Sequence, residues 1–241
     1  MTSCCNIVEL RQYLLHPGQR DTLIELFDRE FVETQEAVGM TLLGQFRDVD
    51  RPDVFTWLRG FPDMDARAKS LGAFYDGPVW AKFRNDANAT MVSSDDVRLL
   101  RPARVDSAWQ LRDRPQSGVR HGLVLGTIYP LSPSGAAGFT DFFDETVAPR
   151  FAAAGARPFA IYETEPSPNT WPRLPVREGE AERCFVWFAR FTDRAASERS
   201  VAMIGEDTVW REEVRPELRK RLTSEPEVLR LVPTERSRML P

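Results

Sequence analysis

Alternating apolar and polar positions mark four strands in the first part of the chain. The two-residue period of a strand with two different faces occurs in VELRQYLLHPG (8–18), MTLLGQFR (40–47), FTWLRGF (55–61) and VRLLRPA (97–103). After the first of these strands, apolar residues recur at helical spacing, at Leu23, Leu26, Phe27, Phe31 and Val32. The predicted order is strand, helix, strand, strand, helix or helices, strand.

The second part of the chain repeats this order. The matching strand patterns are VLGTIYPLSPSG (124–135), ARPFAIYE (156–163), FVWFARF (185–191) and EVLRLVP (227–233). Helical spacing again follows the first strand, at Phe139, Phe142, Phe143 and Val147. The same order of elements twice along the chain indicates an internal duplication.

Helix boundaries support the duplication. Gly39 and Gly155 follow the first helix of each repeat, where glycine suits the left-handed end of a helix. Asp63 and Asp193 lie near the start of a later helix in each repeat, a position that favours a capping side chain.

The order of elements in each half is ferredoxin-like, and the predicted fold class is α+β. A four-stranded sheet with helices on one face needs cover on the other, so we expect two tandem repeats packed sheet to sheet as an α+β barrel within one chain. The predicted division is a first repeat at 1–105, a linker at 106–119 and a second repeat at 120–241. The stretch 163–175 is an insertion of the second half and is predicted to be an irregular loop over the surface or over a pocket.

The first half resembles the NIPSNAP family of the dimeric α+β barrel superfamily. The resemblance lies in ELRQYLLHPG (9–18), FRDVDRPDVFTWLRGFPD (46–63), AFYDGPVW (73–80) and ANATMVSSDDVRLLRPA (87–103). It implies a fold more directly than an activity, because the superfamily includes cofactor-independent monooxygenases, isomerases, cyclases, some haem enzymes and proteins without an assigned reaction. This chain has Phe83 where the bacterial pattern places a histidine before Arg84.

Strand parity groups the polar residues. Glu9, Arg11 and Tyr13 share one face of the first strand, and Arg59 lies with aromatic residues on one face of FTWLRGF. We expect both faces to point into the barrel. Arg47 is a further candidate for the interior, but it lies at a strand end and could instead point into solvent. The inward aromatic residues of FTWLRGF are Phe55, Trp57 and Phe61.

Aligning the repeats reveals unequal polarity. Glu9 falls opposite Leu125, Arg11 opposite Thr127 and Arg59 opposite Ala189. The first repeat retains charges where the second is apolar. We expect a cavity with one charged and one apolar wall, which suits a mostly apolar ligand with a carbonyl, enol or carboxylate group.

Composition excludes several partners. The formal net charge of −4 and the lack of a basic run argue against nucleic acid. No apolar stretch has the length of a membrane span and the first residues lack a signal-peptide pattern, so we expect a cytoplasmic protein without a membrane partner. Its three cysteines and two histidines show no metal-ligand spacing, which predicts no metal and no cofactor. A haem would need His16 or His121 as its ligand.

The resulting hypothesis is a cofactor-independent enzyme with lyase, cyclase or isomerase chemistry on a small apolar carbonyl compound, for example in secondary metabolism. Arg59 and Arg11 would bind an anion, Glu9 or His121 would transfer a proton, and Tyr13 would donate a hydrogen bond. The other predicted substrate-binding residues are Arg47, Phe55, Trp57, Arg84, Asn88, Tyr129 and Trp187.

Alternatives remain at this point. A cofactor-free monooxygenase is the second enzymatic hypothesis, and a binding or scaffold protein is the non-catalytic one. Glu9 and Arg59 could be an ion pair between strands. The tyrosines and tryptophans could be core residues. A homodimer is also compatible with the sequence.

Overall fold

The computed structural model describes residues 5–111 and 122–238. Within these ranges the strands of the first half are β1 (Ile7–Leu15), β2 (Thr41–Asp48), β3 (Val54–Phe61) and β4 (Met91–Pro102). Those of the second half are β5 (Leu123–Pro130), β6 (Pro158–Thr164), β7 (Cys184–Phe191) and β8 (Glu227–Pro233). The predicted strands and their order are confirmed.

Helices fill the predicted connections. The first half contains α1 (Arg20–Leu26), α2 (Val32–Ala37), α3 (Met64–Tyr75) and α4 (Pro78–Thr90). The second contains α5 (Pro133–Ala136), α6 (Phe139–Phe142), α7 (Ala148–Ala153), α8 (Arg194–Glu206) and α9 (Arg215–Arg221), with a short 3₁₀ turn at Glu180–Glu182. One π-helical turn joins α1 to α2 (Phe27–Phe31), another joins α6 to α7 (Phe143–Val147), and a third precedes α9 (Trp210–Val214).

The helix ends follow the sequence signals. Asp63 caps α3 by accepting a hydrogen bond from the backbone N–H of Ala66, and Asp193 caps α8 in the same way through Ala196, both at 2.7 Å. Gly39 and Gly155 have φ of 94° and 89°. Each therefore lets the chain leave its helix in a conformation that other residues rarely adopt.

The strands close into one barrel. Their order around it is β1-β3-β2-β8-β5-β7-β6-β4, with β4 returning to β1. Each half contributes a four-stranded sheet of ferredoxin-like order, and the two sheets join where β2 pairs with β8 and β4 with β6. The predicted α+β barrel formed by two repeats within one chain is confirmed.

The two repeats have the same strand register. Glu9 lies opposite Arg59 in the pairing of β1 with β3, and Leu125 lies opposite Ala189 in the pairing of β5 with β7. The alignment of the repeats made from the sequence is therefore correct at the positions where their polarity differs.

The predicted direction of these side chains is wrong. The residues that meet between the two sheets are apolar and come from the opposite parity, including Val8, Leu10, Leu58, Val186 and Phe188. The aromatic set of β3 packs instead against α1 and the other helices of the first half, in a cluster with Leu23, Phe31 and Phe74.

The way the barrel interior is filled accounts for this arrangement. An eight-stranded barrel has an interior only wide enough for side chains to fill. Aromatic residues of other strands, Phe46 and Phe188, already occupy part of it, and β1 and β3 add the smaller aliphatic residues of one parity, while Trp57 and Phe55 lie in the layer between sheet and helices. The charged face of the first repeat therefore lies outside the barrel and beneath the helices.

Candidate functional site

Three arginines converge on one carboxylate beneath the helices of the first half. Glu9 accepts hydrogen bonds from Arg11 Nη1 and Arg59 Nε at Oε2, both at 2.7 Å, and from Arg67 Nε at Oε1, at 2.6 Å. All four side chains are inaccessible to solvent or nearly so. We call these four residues the Glu9 cluster.

Neutral groups take up further donors of the cluster. Arg59 Nη1 donates to Gln35 Oε1 at 3.0 Å, and Arg11 Nε donates to the Tyr13 hydroxyl at 3.0 Å. Arg67 Nη1 donates to Asn169 Oδ1 at 3.0 Å and to Thr170 Oγ1 at 3.3 Å. No second carboxylate is bonded to the cluster in the described part of the chain.

The site has excess positive charge and unused donors. Its three guanidinium groups face one carboxylate, and the buried Nη2 atoms of Arg59 and Arg67 have no hydrogen-bond partner among the described residues. The indole Nε1 of Trp57 is buried without a partner as well. Buried polar groups usually find partners, so a set of unused donors around excess positive charge favours an anionic acceptor.

Electrostatics fix the protonation state of Glu9. Burial alone would raise its pKa, but attraction to Arg59, Arg11 and Arg67 outweighs burial and holds the pKa well below its usual range. The carboxylate therefore stays ionised at neutral pH. Burial raises the pKa of the Tyr13 hydroxyl, so this group stays protonated.

Aromatic rings surround the arginines. The guanidinium groups of Arg11 and Arg59 lie 5.5 and 5.1 Å from the centre of the Trp57 ring, and that of Arg59 lies 5.9 Å from the ring of Tyr75. Such contacts stabilise a cation in a dry site. The rings also exclude water, which strengthens every charge interaction within the cluster.

The strands β1 and β3 and the helix α3 position the residues of the Glu9 cluster. Glu9 and Arg59 are direct cross-strand neighbours of β1 and β3 and therefore share one face of the sheet. Arg67 comes from α3, where it belongs to the buried stripe that includes Leu71 and Phe74. A helix packed on the sheet thus directs Arg67 at the carboxylate of Glu9.

The second half supplies a cover for the site. The irregular segment 165–177, which we call the insertion loop, leaves and rejoins the sheet beside β4: the Glu165 N–H donates to the Leu99 carbonyl at 2.9 Å and the Arg177 N–H donates to the Val97 carbonyl at 2.8 Å. Between these points Asn169 and Thr170 reach Arg67, and Trp171 packs on the hydrophobic cluster of the first half. The loop predicted from the sequence therefore covers the first repeat.

A cleft lies beside the insertion loop. It has a volume of about 550 Å³ and lies over the junction of β4 with β6 and β7. Its apolar lining includes Leu99, Leu131, Phe139 and Phe185, and its charged lining includes the pair formed by Arg101 and Glu163, 2.7 Å apart. Leu99 is the register neighbour of Glu9, so the cleft and the cluster are adjacent.

The structure brings together part of the predicted site. Glu9, Arg11, Tyr13, Trp57 and Arg59 meet there, and Phe55 packs nearby against Phe27, with ring centres 5.5 Å apart. They meet beneath the helices instead of inside the barrel.

Other predicted residues lie elsewhere. Arg47 is paired with Asp21 at 2.8 Å near the surface, and Arg84 and Asn88 are exposed on α4. Tyr129 and Trp187 are buried with the helices of the second half. His121 lies outside the described residues.

Arg67 was missed by the sequence reasoning, although a signal existed. It lies four residues after the capping Asp63, and Ser197 lies four residues after the capping Asp193. Both positions are buried. A charged residue on the buried stripe of only one of two duplicated helices indicates a function or a buried partner.

The described residues contain neither a metal-binding group nor a membrane-spanning helix. No group of three histidine, cysteine or acidic side chains among them is placed to hold a metal ion. No helix found there combines the length and the apolar character that a membrane crossing requires.

The family comparison matches the first half of the chain. The NIPSNAP family model covers residues 8–105, which include the whole Glu9 cluster but not the insertion loop. A search of curated proteins found no significant match. The resemblance inferred from the sequence is therefore confirmed for the first repeat.

Solved structures confirm the fold of the whole chain. A proposed monooxygenase from Fusobacterium nucleatum is 7% identical, with a TM-score of 0.59 over 98% of this chain and 97% of that one. An anthrone oxidase-like protein is 14% identical, with a TM-score of 0.61 over 95% and 91%. A proposed monooxygenase from Lactobacillus acidophilus is 12% identical, with a TM-score of 0.57 over 98% of both chains. At these identities the likeness shows a shared fold.

Proposed function

We propose that this chain, whose residues 8–105 match the NIPSNAP family, is an enzyme without metal or organic cofactor that binds a small organic anion at the Glu9 cluster. One observation supports this: two more guanidinium groups than carboxylates are buried together, with the Nη2 atoms of Arg59 and Arg67 unpartnered among the described residues. Leaving such charges uncompensated is costly, and a bound anion would remove that cost. The proposal includes a cytoplasmic location and, as an example of its role, secondary metabolism.

The chemical role follows from the unused donors. Arg59 and Arg67 would donate to a carboxylate, or to the negative charge that develops on a carbonyl oxygen when an enolate forms. The Tyr13 hydroxyl accepts from Arg11 and donates to no described residue, so its proton is available for one more hydrogen bond to a ligand. Preorganised donors in a water-excluded site are the arrangement that lowers the barrier to enolate formation.

Glu9 has a different role from the one expected from the sequence. A carboxylate held by three arginines with a strongly lowered pKa is a poor proton acceptor, so Glu9 would fix the arginines instead of moving a proton. His121 stays the sequence-based candidate for proton transfer. The reaction class we favour is proton transfer at an enolisable carbonyl compound, of the lyase, cyclase or isomerase type.

A cofactor-free monooxygenase is the second candidate. The cluster can stabilise a substrate anion, but it contains no carboxylate with an ordinary pKa that could act as a base. Reaction of a substrate anion with O₂ depends mainly on stabilising that anion. One oxygen atom would enter the substrate and the other would leave as water, with all electrons supplied by the substrate. Two of the structures that share this fold are named as proposed monooxygenases.

Binding of acetoacetate tests the proposal, because this anion combines a carboxylate with an enolisable carbonyl. We expect calorimetry to detect it with the natural chain, and Arg67→Met to weaken it more than tenfold, since a charge-assisted hydrogen bond contributes about 1.5–3 kcal/mol. Arg47→Met is the matched control, because that arginine lies near the surface away from the cluster.

Two activity measurements separate the reaction classes. Proton-transfer chemistry predicts deuterium exchange at the carbon between the carbonyl groups in D₂O, above the rate with Arg67→Met. Oxygenation predicts consumption of O₂ instead. Equal binding by the two arginine variants would contradict the proposed site.

A further inference from the structure

We propose that the anion is an amphipathic monocarboxylate: its chain lies in the cleft beside the insertion loop, and its carboxylate replaces Asn169 and Thr170 on Arg67. This inference rests on the proposed function, because it uses the same arginine. It adds the shape of the ligand, its route to the cluster and the element that must move.

The cleft and the cluster share a wall. Leu99 lines the cleft and is the cross-strand neighbour of Glu9. Glu178 also lines the cleft, and its carboxylate accepts a hydrogen bond from the Asn169 N–H at 3.3 Å. Asn169 in turn accepts from Arg67. A single turn of the insertion loop therefore separates the cleft from the guanidinium group of Arg67.

The acceptors in that turn are replaceable. Arg67 Nη1 bonds to an amide oxygen and a hydroxyl, both neutral, while Nη2 has no partner among the described residues. A carboxylate can accept from Nη1 and Nη2 together in a bidentate pair, which is stronger than bonds to neutral acceptors. Thr170 is exposed and Asn169 is half-buried, so moving their side chains uncovers little apolar surface and breaks only hydrogen bonds, including those to the Met64 carbonyl and the Trp171 N–H.

The cleft suits an uncharged chain. Leu99, Leu131, Phe139 and Phe185 give it an apolar floor, and its volume of about 550 Å³ is in the range of small-molecule sites. The charges near the floor neutralise each other, because Arg101 is paired with Glu163. An aliphatic or cyclic body would therefore gain from burial there.

Two carboxylates leave the lining with excess negative charge, because its arginines, Arg101, Arg177 and Arg183, are each paired with an acidic residue. Glu165 accepts from the Ser167 N–H and Glu178 from the Asn169 N–H, and neither has an ion-pair partner in the described ranges. They repel any negative charge in the cleft. The arginines of the Glu9 cluster offset this repulsion for the carboxylate that reaches Arg67, whereas a second carboxylate farther along the cleft has no such compensation. The site should prefer a monocarboxylate to a dicarboxylate of equal length.

A chain-length series on the full-length protein tests the inference. The probes are butanoate, hexanoate, decanoate and decanedioate, measured by calorimetry. We expect the affinity to rise about two- to fourfold for each added methylene, and decanedioate to bind at least tenfold more weakly than decanoate. Ala136→Trp, which fills the cleft, should abolish the dependence on chain length and leave butanoate binding unchanged.

Ala137→Trp is the matched control, because Ala137 is the exposed neighbour of Ala136 and lies outside the lining of the cleft. It should behave as the natural chain does. If neither acetoacetate nor any monocarboxylate of the series binds the natural chain, the proposed function itself is wrong. If butanoate binds but affinity is flat with chain length, or if Ala136→Trp changes nothing, only the present inference is overturned. The series on the natural chain decides even if the tryptophan variant does not fold.

Discussion

Glu9 is the residue on which the layer between sheet and helices of the first half depends. It is the carboxylate that Arg11, Arg59 and Arg67 share. We expect Glu9→Gln to lower the free energy of unfolding by about 3–5 kcal/mol, the usual cost of breaking a buried charge pair by removing one partner. Chemical denaturation measures this. Glu163→Gln removes a partly exposed carboxylate from its pair with Arg101 and should cost less than about 1 kcal/mol.

The stability that Glu9 contributes also depends on pH. The pKa of Glu9 is lowered in the folded state, so the unfolded chain binds a proton more readily and the stabilisation by Glu9 is complete above the unfolded pKa of about 4.3. It is lost as the pH falls below that value toward the folded pKa. The natural chain should therefore lose more stability than Glu9→Gln between about pH 5 and pH 3. Parallel losses would show that folding does not lower the pKa of Glu9.

At the scale of single residues, parity and duplication identified Glu9, Arg11, Tyr13 and Arg59 from the sequence. They could not identify the layer into which these side chains point. Alternation shows which residues share a face, but both faces of a closed barrel covered by helices are buried. Side-chain volume does not separate the two layers either, because Phe46 and Phe188 lie between the sheets while Trp57 and Phe55 lie beneath the helices.

At the scale of elements, the insertion loop connects the repeats. Trp171 packs on the first half, and its ring lies 3.1 Å from the position that a Cβ on Gly72 would take. We expect Trp171→Ala to accelerate hydrogen exchange in peptides from the loop, because the Glu165 and Arg177 amides are protected by bonds to β4. Mass spectrometry measures it.

Exchange in β3 and β7 should be unchanged by Trp171→Ala, since these strands lie within the sheets. Arg173→Ala is the control within the loop, because it removes an exposed side chain that is paired with Asp76 and lies over the Trp171 ring but leaves that ring packed on the first half. Faster exchange throughout the barrel after Trp171→Ala would mean that the loop is part of the core instead of a separate cover.

Elements were easier to predict than their contacts. The strands, the caps at Asp63 and Asp193 and the irregular insertion each follow from local signals in the sequence. That Asn169 bonds to Arg67 depends on how two halves meet, over a hundred positions apart in the chain. No local pattern carries such a contact, because the partners are neutral polar groups that are common in any loop.

The two repeats share one architecture but fill the layer between sheet and helices with different kinds of residues. The second half fills the layer beneath its helices with apolar residues, including Leu125 and Ala189, whereas the first half places Glu9 and Arg59 at the matching positions. The apolar residues at these positions of the second half leave no buried charge to be compensated. The architecture therefore does not require the charged residues that the first half has in this layer.

This comparison predicts that the fold can survive without the cluster. We expect the combined replacement of Glu9→Leu with Arg11→Met, Arg59→Met and Arg67→Met to leave the free energy of unfolding equal or higher, because apolar residues of similar volume often match or exceed a buried ionic group in stability. Acetoacetate and decanoate should no longer bind. Denaturation and calorimetry on the same preparation measure both effects. If the variant loses its cooperative transition, the cluster is structural; if it folds and still binds these anions, the arginines do not form the site. A folded variant without binding would show that the first repeat retains its charges for a ligand.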